Sequence, residues 1–146
     1  MNGQVAWLAW ALTGILAGCS ASTAPTAPSQ TAGLEAQSTA QIGARLYDGN
    51  CIACHQPDAR GIPGAYPSLF GSRVLLGDPR ELALWVVKGQ RPRALPSGRY
   101  STTMPHYDWL KPADAAALLT YVRTHFGNAA PAVDPAVVAR AVGDQP

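Results

Sequence analysis

Cys51-Ile52-Ala53-Cys54-His55 sets two thiols three positions apart and an imidazole directly after the second. C-x-x-C-H is the attachment signature of c-type haem. Two thiols at this spacing near a helix end reach the two vinyl groups on adjacent edges of a porphyrin. The next residue then projects its imidazole to the iron. A structural zinc site would need a fourth protein ligand, and the chain has no second C-x-x-C and no H-x-x-x-H. A thioredoxin-type redox pair would sit in a βαβ context, and no alternating strand pattern of any length occurs. The motif therefore reads as one covalent haem, with Cys51 and Cys54 as attachment points and His55 as an axial ligand.

A second axial ligand must come from elsewhere in the chain. Of the two methionines, Met1 belongs to the leader, which leaves Met104 in Thr103-Met104-Pro105. A thioether is a soft ligand for haem iron, and His/Met ligation raises the reduction potential. Pro105 restrains the loop that presents the sulfur. His106 is close enough in sequence to compete. His125 also competes but falls late in a helix, where packing or solvent exposure is its ordinary role.

Around these residues the chain reads as helices and long loops. One helix is expected from Thr39 to Asn50, with Ile42 and Leu46 on one face and Gly43 and Tyr47 as a second pair at the same spacing. Asp78-Pro79-Arg80-Glu81 is a strong helix start, with Asp at N-cap, Pro at N1 and Glu at N3. That helix should bury Leu82, Trp85 and Val86 and stop at Gly89. Another should run from Pro112 to Phe126, with Leu118, Tyr121 and Val122 on one face and Gly127 as its stop. Lys111 is a poor N-cap, so Asp114 in the first turn must serve the free amides. The sequence also allows a short helix from Pro135 to Ala141, capped by Asp134 and ended by Gly143.

Composition agrees with a small domain that needs a cofactor. Thirteen Pro and fourteen Gly in 146 residues imply many loops, and only 8% of residues are aromatic. A small protein core buries a modest fraction of its surface, so a flat apolar cofactor would complete it. The net charge of +2 is too mild for a nucleic-acid partner. One imbalance is local: Lys88, Arg91, Arg93 and Arg99 occur without an acid between them. Three readings stay open for this Lys88–Arg99 loop: a solvated loop, a clamp on haem propionates, or a docking patch for an acidic partner.

The N-terminus reads as a targeting segment. Val5 to Gly18 is almost continuously apolar but too short to cross a bilayer as a mature helix. It ends in Leu16-Ala17-Gly18-Cys19, which resembles the lipobox of bacterial lipoproteins, where the signal is cut before the Cys and the thiol carries lipid. An ordinary secretory signal followed by a chance Cys is the alternative. Met1–Gln4 lacks the Lys or Arg with which signal peptides usually begin. Export agrees with the haem motif, because c-type haem is attached outside the bacterial cytoplasm. Ser20 after the Cys resembles the rule for sorting to the outer membrane rather than the inner one. The expected organisation is a signal over 1–18, a Ser/Thr/Ala/Pro tether over 19–37, a haem domain over 38–128, and a tail over 129–146. A tether of about 17 residues reaches roughly 20–25 Å.

The order of helix, C-x-x-C-H, long Pro/Gly loop, helix, Met-Pro and terminal helix resembles the class I monohaem cytochromes c. The resemblance covers roughly residues 38–127. It implies an all-α fold with three main helices and long loops around one covalently attached haem. Gly43-x-x-x-Tyr47 matches the family's first helix, where Gly lets the last helix cross closely; Leu118 and Tyr121 match the partner positions. Pro67 in Tyr66-Pro67-Ser68-Leu69 matches the Pro whose carbonyl accepts a hydrogen bond from the ligand imidazole. That bond fixes the tautomer and strengthens the ligand. Leu69 and Trp85 match haem-packing positions. The stretch Thr120-Tyr121-Val122-Arg123-x3-Gly127-Asn128, with Asp114 before it, is most similar to the haem subunits of membrane-bound alcohol and gluconate dehydrogenases. Those usually carry three haem domains, and this chain has one.

Function follows from the ligand set. With both axial positions filled, the iron offers no site to a small-molecule substrate, and the chain is expected to carry electrons rather than catalyse. Its partners would then be redox proteins: a dehydrogenase, an oxidase or another cytochrome. The lipid on Cys19 would hold it to a membrane facing the periplasm. Two alternatives differ in class: an electron-accepting subunit of a periplasmic quinoprotein or molybdenum dehydrogenase, and a gas-binding or peroxidatic haem protein in which Met104 does not bind.

Overall fold

The computed structural model describes residues 30–95 and 97–143, with side chains from residue 38 onward. The proposed signal and Cys19 lie outside the described residues. The described chain is helical, and apart from one isolated bridge between Ile62 and Tyr66 it holds no strand. No described helix is long and apolar enough to cross a membrane.

Helix α1 spans Gln30–Asn50, so it begins nine residues before the expected start at Thr39. The last eight residues of the expected tether over 19–37 are therefore helical. Ala32, Leu34, Glu35, Ala36 and Gln37 are good helix formers. Adding turns to an existing helix avoids the cost of nucleation, which explains why a stretch with no core of its own is wound up. Residues 38–41 are exposed, and burial starts where Gly43 and Tyr47 meet the core.

Helix α1 crosses α5, Pro112–Thr124, in the most extensive helix contact of the described chain. The crossing is close because the facing residues are small. A Cβ on Gly43 would collide with the Ala117 carbonyl oxygen and approach the Tyr121 Cβ at 2.6 Å. Ala115, Ala116 and Ala117 are all buried on the other side. Lys111 makes no side-chain cap, as its chemistry predicts. Helix α5 ends at Thr124, two residues short of the expected end. The chain then turns through Phe126 at φ +59° and Gly127 at φ +80°.

Two one-turn helices, α2 (Ile52–His55) and α3 (Arg73–Leu76), precede α4, Pro79–Lys88. Helix α4 starts and stops where its signals predict. Asp78 accepts from the Arg80 amide at 2.8 Å, and Gly89 takes the left-handed conformation at φ +70°. Leu82, Ala83, Val86 and Val87 are buried.

Helix α6, Pro135–Gly143, runs two residues past the expected Ala141. It packs on α4 and α5, burying Val138 and Ala141, and Val133 just before the helix is buried as well. Each buried Val gains roughly 1.5–3 kcal/mol over exposure, so the tail is part of the core and not an appendage. Buried Arg123 joins the layers. Its Nη1 donates to the carbonyls of Leu75 at 2.6 Å and Gly77 at 3.0 Å, and its Nε donates to Pro131 at 3.1 Å. Burial lowers its pKa and nearby Asp78 opposes that shift. Asn128 makes a second junction: it accepts from the Gly71 amide at 2.9 Å and donates to the carbonyls of Leu69 and Val122.

Candidate haem site

The last turn of α1 runs into the attachment motif without a break in hydrogen bonding. The Cys51 amide donates to Tyr47 at 2.8 Å and the His55 amide to Cys51 at 2.8 Å. Cys51 and Cys54 are free thiols, Cys51 buried and Cys54 half-buried. Burial pushes the Cys51 thiol up to about 11, and the neighbouring Cys54 adds to the rise. After His55 the chain reverses at Gln56, φ +68°. The Tyr47 hydroxyl holds that residue by donating to its carbonyl at 2.6 Å.

The returning loop brings a carbonyl to the imidazole. His55 Nδ1 lies 2.9 Å from the Pro67 oxygen. A carbonyl only accepts, so Nδ1 carries the proton and Nε2 keeps its lone pair. Burial lowers the His55 pKa, and the bond to Pro67 partly opposes this, which leaves the neutral imidazole a metal ligand requires. Gly61 makes the approach possible. At φ +67° its Cβ position is blocked by the Tyr66 and Pro67 backbone, so only hydrogen fits there. The Leu69 amide donates to Ala59 at 2.8 Å and fixes the loop's far end.

Met104 arrives on a segment tied at both ends. Upstream, Thr102 Oγ1 donates to the Ala65 carbonyl at 2.6 Å and the Ser101 amide to Gly64 at 3.3 Å. Downstream, the Tyr107 amide donates to Val86 at 2.9 Å and its hydroxyl to Asn50 at 2.8 Å. The sulfur-bearing side chain is half-buried between these ties.

His55 and Met104 both line two adjoining clefts, of about 210 and 80 Å³, which also share Cys51, Pro67, Trp85 and Leu95. They are two parts of one slot. The smaller is walled by Leu69, Val74, Leu82, Leu118 and Val122. The larger adds Cys54, Tyr66, Arg91, Tyr100 and Thr103. The slot thus brings together Cys51, Cys54, His55, Met104, Pro67, Leu69 and Trp85. It leaves out the two other histidines. His106 is exposed and sits beside Gly89, and exposed His125 stacks on Tyr121 with centroids 4.1 Å apart. The donor set suits a haem: two thiols, a neutral imidazole with a fixed tautomer, a thioether and an apolar wall. No group of three or more His, Cys, Asp or Glu able to hold a metal ion occurs among the described residues.

Sequence reasoning did not give roles to Tyr107, Thr102, Arg123 or Asn128. Most of their partners lie tens of residues away, and of the four only Arg123 and Asn128 stand in a motif quoted for its resemblance.

Residues 40–126 match the cytochrome c family. The chain is 34% identical over 92 residues to a cytochrome c-552 of Thermus thermophilus, covering 60% of this chain and 70% of that one. A second cytochrome c-552 of the same organism matches at the same identity, with 62% of the relative covered. The chain is 32% identical over 91 residues to the cytochrome c subunit of a quinone alcohol dehydrogenase from Gluconobacter oxydans, covering 61% of this chain but 19% of the subunit. The chain belongs to the cytochrome c family. Its helical, strand-poor architecture is that of class I members, which are electron-transfer proteins with covalently bound haem c and are not themselves enzymes.

Proposed function

We propose that this chain is a periplasm-facing, membrane-tethered carrier of single electrons, with one haem c bonded to Cys51 and Cys54 and ligated by His55 and Met104. The observation that carries this reading is the 2.9 Å contact from His55 Nδ1 to the Pro67 carbonyl, on the rim of a slot that Met104 shares. Bound there, haem supplies a one-electron ferric/ferrous couple whose potential the axial ligands set. The chain's residues do the rest. Pro67 holds the imidazole proton on Nδ1 and so strengthens Nε2 as a donor. The ties at Thr102 and Tyr107 would hold the thioether in place against the iron. Leu69 and Trp85 keep water from the ring. With His55 and Met104 both bound to iron, no coordination position would remain for a small-molecule substrate, and the partners would be redox proteins; the net charge of +2 is too mild for nucleic acid.

A second reading draws on the similarity to a quinone alcohol dehydrogenase subunit. In it this chain accepts electrons from a separate catalytic chain of a periplasmic dehydrogenase. Copurification with a quinoprotein or molybdenum enzyme would favour it over a free carrier.

The test of the haem is direct. Protein denatured in acid and organic solvent should keep the mass of one haem on the chain, and haem that separates overturns the reading. The anchor is tested apart from it. Cys19→Ser should release the protein from membranes, preferentially outer membranes, or leave the signal uncut. Wild-type protein found wholly soluble would remove the lipid and leave the haem untouched.

A further inference from the structure

The loop that brings Pro67 to His55 has a neck, and the neck is closed twice. On its inner side the buried Ala59 carbonyl accepts from the Leu69 amide at 2.8 Å and from Ser68 Oγ at 3.4 Å. On its outer side the next residue of each arm takes part: the Arg60 guanidinium lies over the Phe70 ring, with Cζ 4.2 Å from the centroid. The Arg60 amide is itself tied to Asp58 Oδ1 at 3.0 Å. Pro67 stands two residues from Leu69, and its carbonyl meets His55 Nδ1 at 2.9 Å.

The neck is seated on the chain just after α5. Phe70 Cε2 and Cδ2 lie 2.8 and 3.3 Å from where a Cβ on Gly127 would stand, so the ring rests on bare backbone. The next residue, Asn128, accepts from the Gly71 amide at 2.9 Å. His55 is referred to the same helix by another route. It follows α1, whose Gly43 meets α5 at Ala117 and Tyr121. The separation of Nδ1 from the Pro67 carbonyl is therefore set by two arms that both start on α5. Phe70 lines neither cleft, so it reaches the axial ligand only through this loop.

We propose that Phe70, seated on Gly127 and covered by Arg60, is a positioning residue for the axial histidine, holding the Pro67 carbonyl against His55 Nδ1. The inference rests on the haem reading above. The ring suits the task because one flat side chain can offer a face to a guanidinium and an edge to a glycine backbone. A carbonyl held close keeps electron density on the imidazole and so favours ferric iron. A carbonyl that drifts lets the equilibrium move toward ferrous iron.

The experiment follows the holoprotein by two readouts that packing alone would not move. One is solvent exchange of the His55 Nδ1 proton, read by NMR in the reduced state; the other is the reduction potential. Phe70→Ala should speed exchange of that proton about tenfold, because local opening of the loop becomes easier. It should also shift the ferric/ferrous equilibrium a few-fold toward ferrous. Amides at the α1–α5 crossing should keep their wild-type exchange. Phe70→Tyr keeps the ring and should show wild-type values of both readouts. Arg60→Lys keeps the charge without the flat stack and should move both in the same direction by less. Gly127→Ala puts a methyl on the ring's seat and should act as Phe70→Ala does. If Phe70→Ala lowers the denaturant midpoint but leaves the Nδ1 proton and the potential at wild-type values, the proposal is overturned and Phe70 is a packing residue. Exchange that rises equally at Nδ1 and across the α1–α5 amides overturns it as well, since that is a global loss of stability. Where Phe70→Ala fails to fold, wild-type readouts in both Arg60→Lys and Gly127→Ala overturn it. Covalent haem is weighed on every variant. Wild type without haem overturns the carrier reading along with this one, whereas haem-bearing variants with an unmoved Nδ1 proton overturn this one alone.

Discussion

The Tyr47 hydroxyl donates to the Gln56 carbonyl at 2.6 Å, joining the core face of α1 to the positive-φ residue that follows His55. Tyr47 is 1% exposed, so water cannot replace the bond. Tyr47→Phe keeps the ring packed against Phe126 at 5.0 Å and removes only the donor. The Gln56 carbonyl keeps its bond from the Ala59 amide at 3.1 Å, so loss of the phenol donor should cost about 0.5–1.5 kcal/mol. The denaturant midpoint of the holoprotein should fall with its slope unchanged. An unaltered midpoint would mean that Gln56 holds its turn unaided.

The same phenol gives the fold a dependence on alkali. Burial holds the Tyr47 pKa far above the ordinary tyrosine range, and burial raises Tyr107 and Tyr121 as well. In the unfolded chain these groups ionise near pH ~10. Below that pH both states are neutral and the full stability is present. Above it the unfolded state loses protons that the folded state keeps, so stability falls as pH climbs toward the folded pKa. Unfolding free energies measured on either side of pH ~10 should show this decline. Tyr47→Phe should flatten the decline without abolishing it, because Tyr107 and Tyr121 still titrate. An equally steep fall in the variant would assign it to other groups.

Gly43 marks the closest approach of α1 and α5. Gly43→Ala would raise helix propensity by about 1 kcal/mol in an isolated helix. Here the added methyl meets the Ala117 carbonyl oxygen and comes within 2.6 Å of the Tyr121 Cβ, both on the rigid side of a helix. The helices must part, and overpacking of this kind typically costs about 1–3 kcal/mol or more. A net loss of stability is expected in thermal or denaturant unfolding. A gain would show that the crossing has slack.

Asn128 tests how far the slot depends on residues that never touch it. Its side chain serves the Gly71 amide and the carbonyls of Leu69 and Val122. Asn128→Ala removes all three bonds at once and leaves the Leu69 carbonyl only the long bond from the Ser72 amide at 3.4 Å, so it should destabilise more than Tyr47→Phe does. Leu69, which lines the apolar wall, should loosen first. Hydrogen exchange at the 69–71 amides of the holoprotein should speed up before the helices α1 and α5 do. Uniform protection would show the junction to be redundant.

The sequence made some of this legible and hid the rest for a physical reason. Helix α4 was legible to within a residue because its signals are local: Asp78 at the cap, Pro79 behind it, Gly89 at the end. Pro67 was legible by resemblance, and the structure sets its carbonyl against His55. The start of α1 at Gln30 was not, since propagation from a packed helix leaves no cap signal at the far end. Met104 was legible as the second candidate ligand, with His106 as its competitor, but not how the chain would present the two. Long-range bonds from Thr102 to Ala65 and from the Tyr107 amide to Val86 fix the segment that holds both, with Met104 lining the slot and His106 beside Gly89. Arg123 read as an ordinary basic residue of a helix's last turn, because its three carbonyl partners come from two other segments.

Met104 decides between a carrier and a catalyst. If its sulfur binds iron, the oxidised protein should show the weak far-red band of a methionine–ferric haem pair, and Met104→Ala should abolish it. The potential should fall, because a thioether favours ferrous iron. The reduced variant should bind carbon monoxide at neutral pH, since a coordination position has opened. The segment should keep its place, because Thr102 still donates to Ala65 and the Tyr107 amide to Val86. For the same reason His106, lying beside Gly89 outside the slot, should not take the vacated position. Adding His106→Ala to Met104→Ala should therefore leave carbon monoxide affinity unchanged. If the double variant binds it markedly better than the single one, the ties are weaker than their geometry implies and the histidine has moved in. If wild-type protein lacks the far-red band and already binds carbon monoxide, Met104 only fills the slot, and the gas-binding reading replaces the electron carrier.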